Sequence, residues 1–148
     1  MKVRQVMTAT VDTIDAGDSI GYAAGRMAED DMGAFPVLSG GKLVGMLTDR
    51  DVAVRAMGAA IPASAPVNRI MTEDVATCSP DDDVESVLAL MSREQVRRMP
   101  VCDRDSQLIG MVTLTDLAKI DWLKKSVAES LTDICEPSGI HCQAPVFA

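Results

Sequence analysis

The chain contains itself twice. Aligning Val3 with Val67 superposes Met7-Thr8 on Met71-Thr72, Val11-x-Thr13 on Val75-x-Thr77, Met27 on Met91 and Pro36-Val37 on Pro100-Val101. After a one-residue insertion in a loop, Leu43-Val44-Gly45-Met46-Leu47-Thr48 matches Leu108-Ile109-Gly110-Met111-Val112-Thr113, and Asp51 matches Asp116. The matches run along the whole of a unit of about 55 residues, so the repeat is a structural unit rather than a chance motif. Each copy ends in Gly-x-x-Thr-x-x-Asp. The boundaries read as a first unit at 1–58, a linker at 59–66, a second unit at 67–122, and a C-terminal helix and tail at 123–148. The linker is rich in Ala and Pro, as connecting segments are.

Within each copy the hydrophobic period changes from helical to strand-like and back. Ile20, Ala23, Ala24 and Met27 share one face of a helix expected over 19–31, and Val84, Val87, Leu88 and Met91 share the face of its counterpart over 80–95. Phe35-Pro36-Val37-Leu38, a Ser39-Gly40-Gly41 turn and Leu43 to Leu47 read as a hairpin. Met99 to Cys102 and Gln107 to Val112 repeat it. A short helix follows each Thr, the first from Arg50 to Met57. Each unit is therefore β-α-β-β-α, and the fold class is α/β (α+β). Ser79 and the acids Asp81, Asp82 and Asp83 precede the second long helix, where capping and the helix dipole account for them. Ile120, Leu123, Val127, Leu131 and Ile134 recur at helical spacing, predicting an amphipathic helix that extends the last one, with Trp122 packed near its start. Glu136-Pro137-Ser138-Gly139 ends it.

With 47% hydrophobic residues over 148 positions, the chain can bury a core. Aromatics are scarce at 3% and methionines number 10, so the core is aliphatic and thioether. The net charge of −8, without a basic run, disfavours nucleic acid and anionic membranes as partners. No apolar run approaches the roughly 18 residues of a membrane span, and the N-terminus has no apolar signal segment. A cytoplasmic location with free thiols at Cys78, Cys102, Cys135 and Cys142 is the expectation. In an oxidising compartment a disulfide from Cys135 stays open. Cys135, His141 and Cys142 fall short of the four ligands of a closed zinc site, so no metal is expected.

A duplicated β-α-β-β-α unit with Pro-Val in its second strand and Gly-x-x-Thr-x-x-Asp at its end resembles the CBS domain. Two such units make a CBS pair, or Bateman module. GMLTDRDVAVRAM in the first copy is similar to small stand-alone bacterial CBS-pair proteins, including the hypoxic-response type. The resemblance covers about residues 1–122. It implies a pseudo-twofold module whose clefts between the units hold an adenosine-type ligand, such as AMP, ADP, ATP or S-adenosylmethionine. It also implies a homodimer that regulates a partner whose identity is unknown.

Thr48 with Asp51, and Thr113 with Asp116, have the spacing of a capping box at a helix start. The same groups can hold a ligand: the resemblance implies ribose on the Asp, with the Thr near ribose and phosphate. Arg97 and Arg98, just before Pro100, match the family's phosphate-facing position; Gly33 and Ala34, their counterparts, do not. Ion pairing with acids such as Glu94 is the alternative for these arginines. Arg50 and Arg55 are weaker phosphate candidates. Adenine recognition is implied for the segments Thr10 to Thr13 and Asp74 to Thr77, hence for Val11 and Val75. Tyr22 and Phe35 are expected to be buried packing residues, with stacking on a base as the alternative role. With His141 as the single histidine, and with no nucleophile triad, P-loop or dinucleotide fingerprint, the reading is a non-catalytic sensor with no cofactor. The alternative is a ligand-free dimerisation or interaction module.

Overall fold

Ser19 starts the first long helix: its hydroxyl accepts the Tyr22 N–H at 3.1 Å, an N-cap that satisfies one of the donors a helix leaves unpaired. The computed structural model describes residues 1–137; His141, Cys142 and the Ser138-Gly139 part of the expected helix stop lie outside the described residues. The chain divides into two compact units, one formed by Asp12–Val75 and the other by Met1–Val11 together with residues 76–137.

In the first unit β1 (Ile14–Asp15), α1 (Ile20–Glu29), β2 (Ala34–Ser39) and β3 (Lys42–Thr48) are followed by a π-helix, Asp51–Met57. The sheet order is β1-β2-β3. β1 runs parallel to β2, with Ile14 opposite Val37. β2 and β3 form the expected hairpin, pairing Ala34 with Thr48 and Val37 with Gly45. Its turn has Gly40 at φ 56 and Gly41 at φ 80, the left-handed conformations a tight hairpin requires and glycine adopts without penalty. Pro36 sits opposite Met46, whose N–H turns away to Thr72 O at 2.9 Å. The pair therefore exchanges no ladder bond, and the missing proline N–H breaks nothing on that side. Ile20, Ala23 and Met27 of α1 close over Phe35, Val37 and Leu47 in one core. Phe35 is fully buried, but Tyr22, expected inside, is 50% exposed because it lies outside that apolar stripe.

The second unit contains α2 (Val84–Glu94), β4 (Arg98–Cys102), β5 (Leu108–Thr113), α3 (Leu114–Ala118) and α4 (Lys124–Ile134). β4 and β5 are antiparallel, with Arg98 opposite Thr113. The place of β1 is taken by a single parallel bridge, Cys78 to Val101. The acid run does not cap α2 through its side chains: Asp83 at the N-cap makes no cap hydrogen bond. Instead Asp82 Oδ2 accepts the Ser79 N–H at 2.8 Å, tightening the preceding loop, and Asp83 pairs with Lys2 at 3.0 Å. That contact, a side-chain hydrogen bond first and a Coulombic attraction second, holds the Asp83 carboxyl below its usual range. α4 is a separate helix rather than an extension of α3, because a 3-10 turn at Asp121–Leu123 breaks the two apart. Val127 and Ile134 enter the core of this unit, while Leu131 is exposed. Ser92 Oγ donates to Asp133 Oδ2 at 2.7 Å, tying α4 to α2.

The two repeats exchange their leading segments. Val3 is fully buried in the core built around α2, and its N–H donates to Asp82 O at 3.0 Å. Thr8 and Met111 exchange both backbone hydrogen bonds at 2.9 Å, and Thr72 and Met46 do the same in the other unit. Each Met-Thr pair thus closes the outer edge of the hairpin that precedes or follows it in the opposite copy. This explains the first residue of the Gly-x-x-Thr-x-x-Asp signature. A Cβ on Gly45 would stand 2.6 Å from Met71 Sδ and 2.9 Å from Thr72 O; on Gly110 it would stand 2.8 Å from Met7 Sδ and 3.0 Å from Thr8 O.

Candidate functional site

Both Thr–Asp pairs form the reciprocal box that their spacing predicts. Asp51 Oδ2 accepts the Thr48 N–H at 2.8 Å and the Thr48 hydroxyl at 2.9 Å, while Thr48 Oγ1 accepts the Asp51 N–H at 3.1 Å. In the second copy the corresponding distances are 3.0, 2.6 and 3.1 Å. In each case one carboxylate oxygen, Oδ2, carries the cap.

The other oxygen separates the copies. Asp51 Oδ1 faces Arg55 Nε at 3.7 Å, with side-chain exposures of 1% for Asp51 and 21% for Arg55. Arg55 is itself anchored, its Nη1 donating to Ile70 O at 2.9 Å and Met71 O at 3.2 Å. Arg55, also a phosphate candidate in the sequence, thus lies within ion-pair distance of the buried motif carboxylate. Asp116 Oδ1 faces Lys119 Nζ at 3.4 Å, a lysine whose side chain is 73% exposed, and Asp116 retains 17% exposure. The chain after each Thr differs accordingly, a seven-residue π-helix in the first copy and a five-residue α-helix in the second. π-Helical turns are rare and concentrate at specialised positions.

Asp116 opens onto a cleft of about 480 Å³ whose walls include Met1 and Val6 from the N-terminal segment and Lys119, Ile120 and Trp122 from the chain after α3. Trp122, expected to pack near the start of the last helix, is 55% exposed and lines this cleft. A slightly larger groove of about 540 Å³ runs between α2 and α4 past Ser92, Arg93, Glu129 and Asp133. It carries none of the sequence candidates.

The remaining candidates are less concentrated. Arg98 lies across the ladder from Thr113, where the first copy has Ala34 across from Thr48. Arg97 is exposed; its carbonyl accepts the Leu114 N–H at 2.8 Å, and its Nη2 donates to Cys135 Sγ at 3.5 Å. Glu94, weighed as a partner for these arginines, pairs with Arg93 at 3.1 Å. Arg50 is exposed, with its N–H on Asp49 Oδ1 at 2.8 Å. Val11 and Val75 are half-buried at the crossover points between the units. Their segments precede the regular strand, which in the first copy begins at Ile14. The sequence reading passed over Lys119 and gave Trp122 only a packing role; Lys119 falls three residues beyond Asp116, at i,i+3 helical spacing, the one local signal available.

The CBS domain family model matches twice, at residues 3–58 and 67–122. The chain belongs to the CBS domain family. It is 36% identical over 132 residues to the CBS domain-containing protein YhcV of Bacillus subtilis, covering 89% of this chain and 94% of that one. Among solved structures it resembles Hypoxic Response Protein I with two coordinated zinc ions, at TM-score 0.74 and 30% identity, covering 80% of this chain and 98% of the other. It also resembles the CBS domain pair of protein MJ0100 in complex with 5-methylthioadenosine and S-adenosyl-L-methionine, at TM-score 0.73 and 27% identity, covering 82% and 98%. The fold is that of a CBS pair. Among the described residues no group of three His, Cys, Asp or Glu is placed to hold a metal, no helix is long and apolar enough to cross a membrane, and Cys78, Cys102 and Cys135 are free thiols.

Proposed function

We propose that this CBS pair is a non-catalytic regulatory module whose adenosine-type ligand is held through the second copy of the motif, with Asp116 accepting the ribose hydroxyls. The observation that carries this reading is the division of labour within the Asp116 carboxylate. Oδ2 is committed to Thr113, whereas Oδ1 meets, among the described residues, only a solvent-exposed lysine, and Asp116 lines an open cleft. A carboxylate oxygen so placed can accept from a vicinal diol in a charge-assisted bond. The adenosyl ligands of the similar MJ0100 pair support the ligand class. Asp51, buried against Arg55, is assigned to the fold. As part of the same reading, the chain works as a homodimer in the cytoplasm and passes ligand occupancy to a protein partner.

Thermal shift with AMP, ADP, ATP and S-adenosylmethionine tests it. A ligand that binds the folded chain alone stabilises it by about 2.7 kcal/mol at a hundredfold excess over Kd. The expected result is a concentration-dependent rise with at least one of these ligands, lost in Asp116→Ala. No rise with any of them would refute the sensor reading in favour of a ligand-free interaction module.

A further inference from the structure

Trp122 is the sole tryptophan in the chain, and more than half of its surface is left in water. An indole is normally a large contributor to a core. Here it is displaced outward because α3 ends at Ala118 and the 3-10 turn Asp121–Leu123 redirects the chain. Its neighbours Ile120 and Leu123 turn inward and are buried. The ring therefore lies at the rim of the cleft that Asp116 borders, beside half-buried Val6 and the ammonium of Lys119.

These groups supply three different chemistries within one cleft. The indole offers a flat π-face, the Asp116 Oδ1 offers an acceptor for a diol, and Lys119 offers a point charge for an anion. We propose that this cleft binds a nucleoside phosphate with its base stacked on Trp122, its ribose on Asp116 and its phosphate drawn by Lys119, which leaves its 3.4 Å contact with Asp116 when the ligand enters. This rests on the reading of Asp116 as the ribose acceptor and adds the base platform, which is drawn from the same compact unit. Every aromatic base presents a π-face, so the platform selects for a base without choosing strongly among bases. The compound it rejects is a sugar phosphate that lacks one.

The single tryptophan makes the test direct. The full chain is titrated with AMP, with ribose 5-phosphate as the baseless control, while indole fluorescence and calorimetric binding are recorded together. AMP should quench the emission along the calorimetric isotherm, and ribose 5-phosphate should not. Loss of a base–aromatic stack corresponds to about tenfold weaker binding, so Trp122→Ala should bind AMP roughly an order of magnitude more weakly and Trp122→Phe should stay close to wild type. Because Trp122 is exposed, neither change opens the core. If AMP binds in an Asp116-dependent manner but leaves the emission unchanged, with Trp122→Ala binding as tightly as wild type, the platform is refuted and the sensor function stands. If quenching and affinity survive Asp116→Ala unchanged, Asp116 does not hold the ribose, and the proposed seating of base, ribose and phosphate in this cleft is refuted. If no adenosine ligand binds at all, both readings fall.

Discussion

The two motif aspartates can be told apart by what their removal costs the fold. Asp51→Ala deletes an acceptor that serves the Thr48 N–H and hydroxyl at 2.8 and 2.9 Å, and it strips the counter-charge from Arg55 in a site where the carboxylate is 1% exposed. Loss of the capping interaction alone costs about 1 kcal/mol. A hydrogen bond to a charged acceptor is worth about 1.5–3 kcal/mol, and breaking one half of a buried pair up to about 3–5. These are overlapping descriptions of one side chain. Arg55 also keeps two carbonyl acceptors and 21% exposure, so the low end applies, about 3 kcal/mol. Asp116→Ala removes an equivalent cap, but its cation is a lysine 73% exposed, and an exposed pair contributes between 0 and about 1 kcal/mol. The expected cost there is about 1 kcal/mol. For a chain of this size the melting point falls by about 2–4 °C per kcal/mol. Asp51→Ala should therefore melt roughly 6–12 °C below wild type and Asp116→Ala about 2–4 °C below. Urea midpoints at unchanged slope give the same comparison isothermally. Equal losses in the two variants would refute the assignment of Asp51 to the fold and Asp116 to the ligand.

Two further outcomes follow from packing and titration. Gly110→Ala should destabilise by about 1–3 kcal/mol, as overpacking does, because the new methyl meets Met7 Sδ and the Thr8 carbonyl, the latter a backbone atom unable to move aside; hydrogen exchange should quicken first at Thr8 and Met111, and unchanged exchange there would contradict the segment exchange. Burial pushes the Cys78 thiol up from 9.0 to about 12, with Asp82 a lesser contributor. The neutral thiol is the form the fold stabilises, so this contribution is complete below pH 9 and is lost as pH rises toward 12, while thiol-reactive reagents at pH 8 should label exposed Cys135 and spare Cys78. Rapid labelling of Cys78 at that pH would refute its burial.

Local chemistry was legible in the linear sequence wherever neighbours in the chain are neighbours in space. The stripe Ile20, Ala23, Met27, the Gly40-Gly41 turn and the Thr–Asp boxes are each set within a few residues, and all three form as their spacing predicts. The duplication carried the family as well, because a repeated pattern of strands, helix and signature leaves few alternative folds. Non-local decisions left no such trace. That Met7-Thr8 closes the edge of β5, and Met71-Thr72 the edge of β3, depends on which strand edge lies within reach after folding. The signature glycines need to be small for that reason, and their spacing alone does not say so. The inequality of the two copies is of the same kind. Asp51 and Asp116 occupy equivalent places in the repeat, but only the three-dimensional packing brings Arg55 onto the carbonyls of Ile70 and Met71 and so seals the first carboxylate. The break after α3 leaves Trp122, expected to pack near the start of the last helix, on the cleft that Asp116 also lines. Sequence determined which side chains recur; tertiary structure decided which of them meet solvent, because burial depends on what the rest of the chain packs against them.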